Sequence, residues 1–184
     1  MSETSIAEFD RTVISPTAED LSGMLSVVFS RWNEVRGADW APTWFGFSLE
    51  NLPPKVIPWC VAVNVEHDPE DFVYRFWGTE RARLQGQELT GRSVSEFEPA
   101  SMSRTLRQEY AQVVETRSVF LIRKRHTTLS GLALGFESLR LPLSDGDADT
   151  AVILSIARSE TLTRENYRYF GTEPPLSLSG RGGN

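Results

Sequence analysis

Four consecutive residues, Arg123-Lys124-Arg125-His126, are cationic or titratable, and they fall in a stretch patterned as a strand. Alternation puts Arg123 and Arg125 on one face and Lys124 and His126 on the other. A strand with one buried side cannot leave all four in water. Either an anion binds the inward pair, or acidic neighbours such as Glu137 neutralise it, or the strand is an edge. The edge or ion-pair arrangement is favoured, because strand edges often carry charge. Glu137 alone stands on a strand that lines a sheet, where a desolvated carboxyl can act as acid or base. An ion pair with Arg123 or Arg125 is its simpler role.

Other chemistry is thin. His67, His126 and Cys60 form no spaced His/Cys cluster of the kind that holds a metal. His126 lacks the axial-ligand context of a haem site. Cys60, between Trp59 and Val61, reads as a small core residue. There is no Gly-x-Ser-x-Gly elbow, no phosphate-binding Gly-rich loop and no His-Glu-x-x-His. Carboxylates such as Glu66 and Asp68 read as solvated turn residues. The sequence therefore assigns no catalytic residue, no metal site and no cofactor.

The chain has 184 residues, enough for one domain with flanking segments. Its 40% hydrophobic and 24% charged content is that of a globular protein. With 19 basic against 25 acidic residues, the net charge of −6 disfavours nucleic acid and anionic membrane surfaces. One cysteine excludes an internal disulfide and fits a reducing compartment. Residues 1–11 carry Glu3, Glu8 and Asp10 without an apolar core, unlike a signal peptide. The longest apolar stretch, Val56 to Val65, falls far short of the roughly 20 residues that span a bilayer. The expected location is the cytoplasm.

Leu21, Met24, Leu25, Val28, Trp32 and Val35 recur at steps of three and four, which predicts an amphipathic helix. Ser15-Pro16 or Thr17 with Asp20 supplies its start, and Gly37 its end. Between Asp39 and Pro58, four prolines forbid a long helix, and Trp40, Trp44, Phe45 and Phe47 predict an irregular wrap against the domain. Strands are expected at 59–65 and 72–77, the latter with Phe72, Tyr74 and Phe76 on one face. Short helical pieces follow at 80–84 and 93–97, then a longer helix over 101–116 with Met102, Leu106, Tyr110, Val113 and Val114 on one side. Three strands complete the section at 118–128, 132–143 and 150–158, joined by hairpin-length links. A further helix is expected at 161–170, followed by a disordered tail. Two strands, helices, then three strands predict an α+β fold with a mostly antiparallel sheet. The implied organisation is an N-terminal segment (1–18), a helix and wrap (19–58), a core (59–160) and a C-terminal helix and tail (161–184).

This element order, together with specific residues, resembles a PAS-like family with an N-terminal helical extension, found in bacteria. The matching stretch is Asp71-Phe72-Val73-Tyr74-Arg75-Phe76-Trp77-Gly78-Thr79, then Gly86 and Leu89-Thr90-Gly91-Arg92. It extends to Trp32, Arg36, Pro42, Leu52 and Pro53 upstream and to Leu141-Pro142-Leu143 downstream. The resemblance implies a five-stranded antiparallel sheet with helices on one face. Within the motif, Gly78 accepts a positive φ or a close backbone approach, Thr79 caps the following helix, and Gly91 serves the next turn.

PAS folds commonly hold small molecules between sheet and helical flap. The resemblance thus implies a ligand-binding wall of Phe72, Tyr74, Phe76, Phe97, Leu106, Tyr110, Phe120 and Ile122, although the same residues also suit a filled core. A flavin-adduct cysteine is not expected, because Cys60 falls in the first predicted strand. Val73 and Trp77 are expected to point away from Phe72 and Phe76, leaving an apolar outer face for the N-terminal helix to cover, within one chain or exchanged across a homodimer. The expected function is a sensory or regulatory module that binds a small organic ligand and acts through a separate output protein. The alternatives are a cone-shaped α+β enzyme or small-hydrophobe carrier with a buried carboxylate, and a ligand-free interaction module.

Overall fold

A computed structural model describes residues 6–67, 70–128, 130–147 and 149–158. The helix expected at 161–170 and the tail after it lie outside the described residues. Among the described residues six strands form one antiparallel sheet: β1 (Ile6–Ile14), β2 (Cys60–His67), β3 (Glu70–Trp77), β4 (Phe120–Thr128), β5 (Ala133–Ser144) and β6 (Thr150–Arg158), in the order β1-β4-β5-β6-β2-β3. Among the described residues four α-helices accompany them: α1 (Gly23–Arg36), the single turn α2 (Trp44–Phe47), α3 (Thr79–Gln85) and α4 (Ala100–Thr116). α3 and α4 fall between β3 and β4, as the sequence order required.

Five of the strands are those expected; β1 is an addition. It pairs antiparallel with β4, from Ile14 opposite Leu121 to Ile6 opposite Thr128. β4, bearing the cationic run, is therefore an interior strand, and the edge arrangement is overturned. The alternating Phe9, Arg11 and Val13 of β1 gave only a weak strand signal, because acidic residues and an arginine interrupt it.

The sheet has two apolar faces. On the inner face, Val61, Val63, Val65, Leu134, Phe136 and Ile153 pack under α4 and the loop around Val94 and Phe97. On the outer face, Leu121, Leu139, Leu141, Val152, Leu154 and Ile156 meet Leu25, Val28 and Trp32 of α1 and Phe47 of α2. The helix that covers the outer face thus belongs to the same chain. Burial of its stripe stabilises α1, since a helix of 14 residues is marginal alone. Trp32 locks the contact by donating its indole N–H to Pro142 O at 2.8 Å. Ser22 stands at the N-cap and Gly37, at φ +53°, ends the helix. The Thr17–Asp20 hydrogen bonds instead organise a short 3-10 turn just before it.

One irregularity decides which side chains face inward. The β2–β3 register slips between Ala62 and Val63, where Phe76 faces Ala62 but Tyr74 faces Val63, leaving Arg75 as an extra residue. A bulge of this kind reverses the alternation beyond it. Phe76 consequently packs with the outer cluster, and Trp77 joins Phe72 and Tyr74 on the inner one. The expectation that Phe76 shares a face with Phe72, and that Trp77 opposes it, is corrected by this single residue.

Gly78 works by close approach rather than positive φ: its φ is −65°. Gly78 itself is the N-cap of α3, and Thr79 is the first helical residue.

Candidate functional site

The inner core, the candidate ligand chamber, lies packed between the sheet and α3–α4. Phe72, Tyr74, Phe97, Leu106, Tyr110 and Phe120 all converge there. Phe72 and Tyr110 meet at 5.6 Å between ring centroids, and Tyr74 meets Trp77 edge to face at 4.5 Å. Phe97 lies 6.0 Å from Trp77. Ile122 faces the same side but borders a separate polar corner, and Phe76 lies behind the sheet.

Asp71 fixes this wall to the helices. It accepts hydrogen bonds from Arg107 of α4 at 2.7 Å, from the Ser93 hydroxyl at 2.9 Å and from the Phe72 N–H at 2.7 Å. Desolvation pulls its pKa upward, but those donors and the Arg107 charge outweigh it and hold the carboxyl below its usual range. Gly91, at φ +80°, and Arg92 pair with the Tyr74 backbone and close the outer edge of β3 there.

The polar corner is built around Glu109. One Glu109 oxygen accepts from Arg140 of β5 at 2.7 Å, and the other from Arg11 of β1 at 3.0 Å; Lys124 of β4 lies at 3.7 Å. The Glu109, Lys124 and Arg140 side chains are all buried. Desolvation alone pushes this carboxyl up, but Lys124, Arg140 and Arg11 overcome it and bring the pKa down to about 2. Arg140 also donates to Ser155 and sits 5.0 Å from the Tyr110 ring centroid.

The inward half of the cationic run thus meets an ion pair, but with Glu109 rather than Glu137. Glu137 pairs with Arg123 at 2.9 Å, half-exposed, and Arg123 also donates to Asp20 O. His126 is fully buried, with its ring 4.7 Å from Phe9.

Glu109 was legible in principle. It stands three residues after Leu106 and four before Val113, on the apolar stripe of α4, where a carboxylate needs a partner. Arg140 and Trp77 were also missed, the latter because the bulge reversed its face.

A cavity of about 10 Å³ opens between Leu106, Glu109, Ile122, Phe136, Ser138 and Arg140. That is room for roughly one water. Buried donors in this half of the molecule without a hydrogen-bond partner among the described residues include Trp77 Nε1, Ser138 Oγ and Arg140 Nε. Among the described residues no group of three His, Cys, Asp or Glu could hold a metal ion, and no helix is long and apolar enough to cross a membrane.

Several solved structures share features of this chain at low identity. VqmA bound to DPO is similar at 16% identity and a TM-score of 0.41, over 56% of this chain and 53% of that one. The PAS domain of a Colwellia psychrerythraea protein matches at 17% identity and 0.39, over 58% and 92%. An RNA-binding light-oxygen-voltage receptor matches at 14% and 0.40, over 87% and 40%. The chain spans about half the length of the VqmA chains it matches. No curated protein matches it. The model of a family described as PAS domain matches residues 22–157, from the start of α1 to the end of β6. This chain belongs to that PAS-domain family, whose members are sensory and regulatory modules.

Proposed function

We propose that this chain senses a small organic molecule held in its inner chamber and passes the signal on through protein contacts. The wall is Phe72, Tyr74, Phe97, Leu106, Tyr110 and Phe120, with Trp77 added to it and Ile122 at the polar end; Phe76 takes no part. The single observation that carries the reading is the Trp77 indole N–H. It is buried among aromatic rings without an acceptor among the described residues. Such a donor costs about 1–3 kcal/mol until something satisfies it. A ligand with one acceptor atom and an apolar body answers both features.

The aromatic wall is packed as core and the 10 Å³ cavity lies at the polar corner beside it, so entry of such a ligand parts α4 from the sheet. That displacement is the signal. The sensing core is the unit 59–160, with 19–58 as its cover. The protein works as a homodimer with a separate output partner, catalyses no reaction, and engages neither nucleic acid nor membrane. Its acidic balance and single cysteine agree with a cytoplasmic protein.

Native mass spectrometry of gently purified protein tests this reading. A small-molecule adduct is expected, and Trp77→Phe loses it. No adduct, together with no thermal shift across a broad small-molecule screen, overturns it. The small cavity also favours a second reading, a filled interaction module. In that case Trp77→Phe leaves partner binding unchanged and no ligand is found.

A further inference from the structure

The outer face of the sheet holds a second concavity, of about 370 Å³, unconnected with the inner chamber. Its size lies within the roughly 300–1,000 Å³ of small-molecule sites. The bulge that turns Phe76 to the outer face also sets Arg75 on this side. There its guanidinium lies 4.8 Å from the Trp44 ring centroid, and one nitrogen donates to Asn64 Oδ1 at 3.3 Å. Beside Trp44, Phe45 is 87% exposed, whereas Phe47 of the same turn is fully buried. α2 is anchored by Phe47 and by the Thr43 hydroxyl, which accepts from the Gly46 N–H at 3.0 Å. The Ser144 N–H donates to Pro42 O at 2.9 Å and ties that turn to the sheet. The aromatic wall is thus preformed, and Phe45 is not needed to hold it.

We propose that this pocket binds a small aromatic monocarboxylate, such as an arylacetate. With one face of its guanidinium on the indole, Arg75 keeps in-plane N–H groups for a carboxylate, which it pairs with in a two-pronged geometry. Phe45 and Trp44 then receive the ring. Glu66 and Asp145 also line the pocket; their charge opposes every anion and a polyanion most, so the Arg75 fork must supply the attraction for a single carboxylate.

The test is a titration of ¹⁵N-labelled full-length protein with indole-3-acetate, read at the five indole N–H resonances, one for each tryptophan. The Trp44 resonance is expected to shift saturably while Trp77 stays in place. Arg75→Met, at an exposed position, is expected to weaken binding roughly tenfold or more, and its four other indole signals report an intact fold. Indole-3-acetamide is expected to bind correspondingly weakly. The proposal is overturned by no saturable shift at Trp44, by a shift confined to Trp77, by equal binding of the amide, or by unchanged affinity in Arg75→Met. A shift at Trp77 alone would assign the probe to the inner chamber instead.

Discussion

Arg140 of β5 and Glu109 of α4 face each other with 2.7 Å between nitrogen and oxygen, both side chains buried. Because Arg11 and Lys124 reach the same carboxylate, one residue of α4 is tied to three strands, β1, β4 and β5. Removing one partner of a buried ion pair typically costs 3–5 kcal/mol, since the remaining charges lose their compensation. Glu109→Gln keeps the shape and removes the charge. At neutral pH we expect it to destabilise the protein by about 3–5 kcal/mol in urea unfolding. The same residue sets an acid limb. With its pKa lowered from 4.5 to about 2, the folded state binds fewer protons than the unfolded one between those values. The stabilisation is complete above pH 4.5 and is lost as pH falls through 2, a change of about 3 kcal/mol. Glu109→Gln should lack this limb; an identical pH profile in both proteins would refute the assignment.

Glu137 gives the contrasting case. Its pair with Arg123 is about a third exposed on both sides, where solvent screens the interaction. Glu137→Gln should change stability by less than about 1 kcal/mol, measured in the same urea experiment. A loss as large as that of Glu109→Gln would mean that this half-exposed pair is a structural anchor.

The periodicity of α1 and α4 was readable because each buries one stripe, and five strands were readable because turn residues separate them. The faces of β3 were readable only as far as Tyr74. Alternation holds while each residue pairs in turn, and nothing in the composition of Tyr74-Arg75-Phe76 announces that Arg75 will be skipped. β1 was hidden for another reason. Its inward Arg11 reads as a solvent-facing charge until Glu109, 98 residues away, provides its partner. The outer-face role of α1 followed from sequence, but a local pattern cannot say whether a helix covers its own sheet or another copy's.

Cys60 offers a probe of global opening. It faces the outer cluster, fully buried, and its thiol lies 3.6 Å from Val56 O. Burial pushes its pKa up to about 12 despite the charge of Arg81. Only thiolate reacts readily, so labelling by a disulfide reagent at pH 8 should be slow in native protein and immediate in urea. Because Cys60 is fully buried at the start of β2, between the sheet and its outer cover, the native labelling rate should rise in Glu109→Gln in step with lost stability. Rapid labelling of the stable wild-type protein would show that the outer face opens on its own.

Gly78 joins β3 to α3 where three backbone segments crowd together. A Cβ built on it falls under 3.0 Å from the Pro58 carbonyl and 2.7 Å from the Cys60 oxygen. The Gly78 N–H donates to that same Cys60 oxygen at 2.8 Å, so the close approach serves a hydrogen bond. Neither contact is a flexible side chain that can swing aside, and relief requires β2 and β3 to separate. Gly78→Ala is therefore expected to cost about 3 kcal/mol, toward the upper end for overpacking. Gly135→Ala is the control: a Cβ there meets nothing within 4 Å, so it should stay within about 0.5 kcal/mol of wild type. The two thermal transitions, recorded side by side, separate steric crowding from the general effect of replacing glycine. Equal melting temperatures would disprove the crowded junction and, with it, the placement of the β3–α3 corner that positions Trp77.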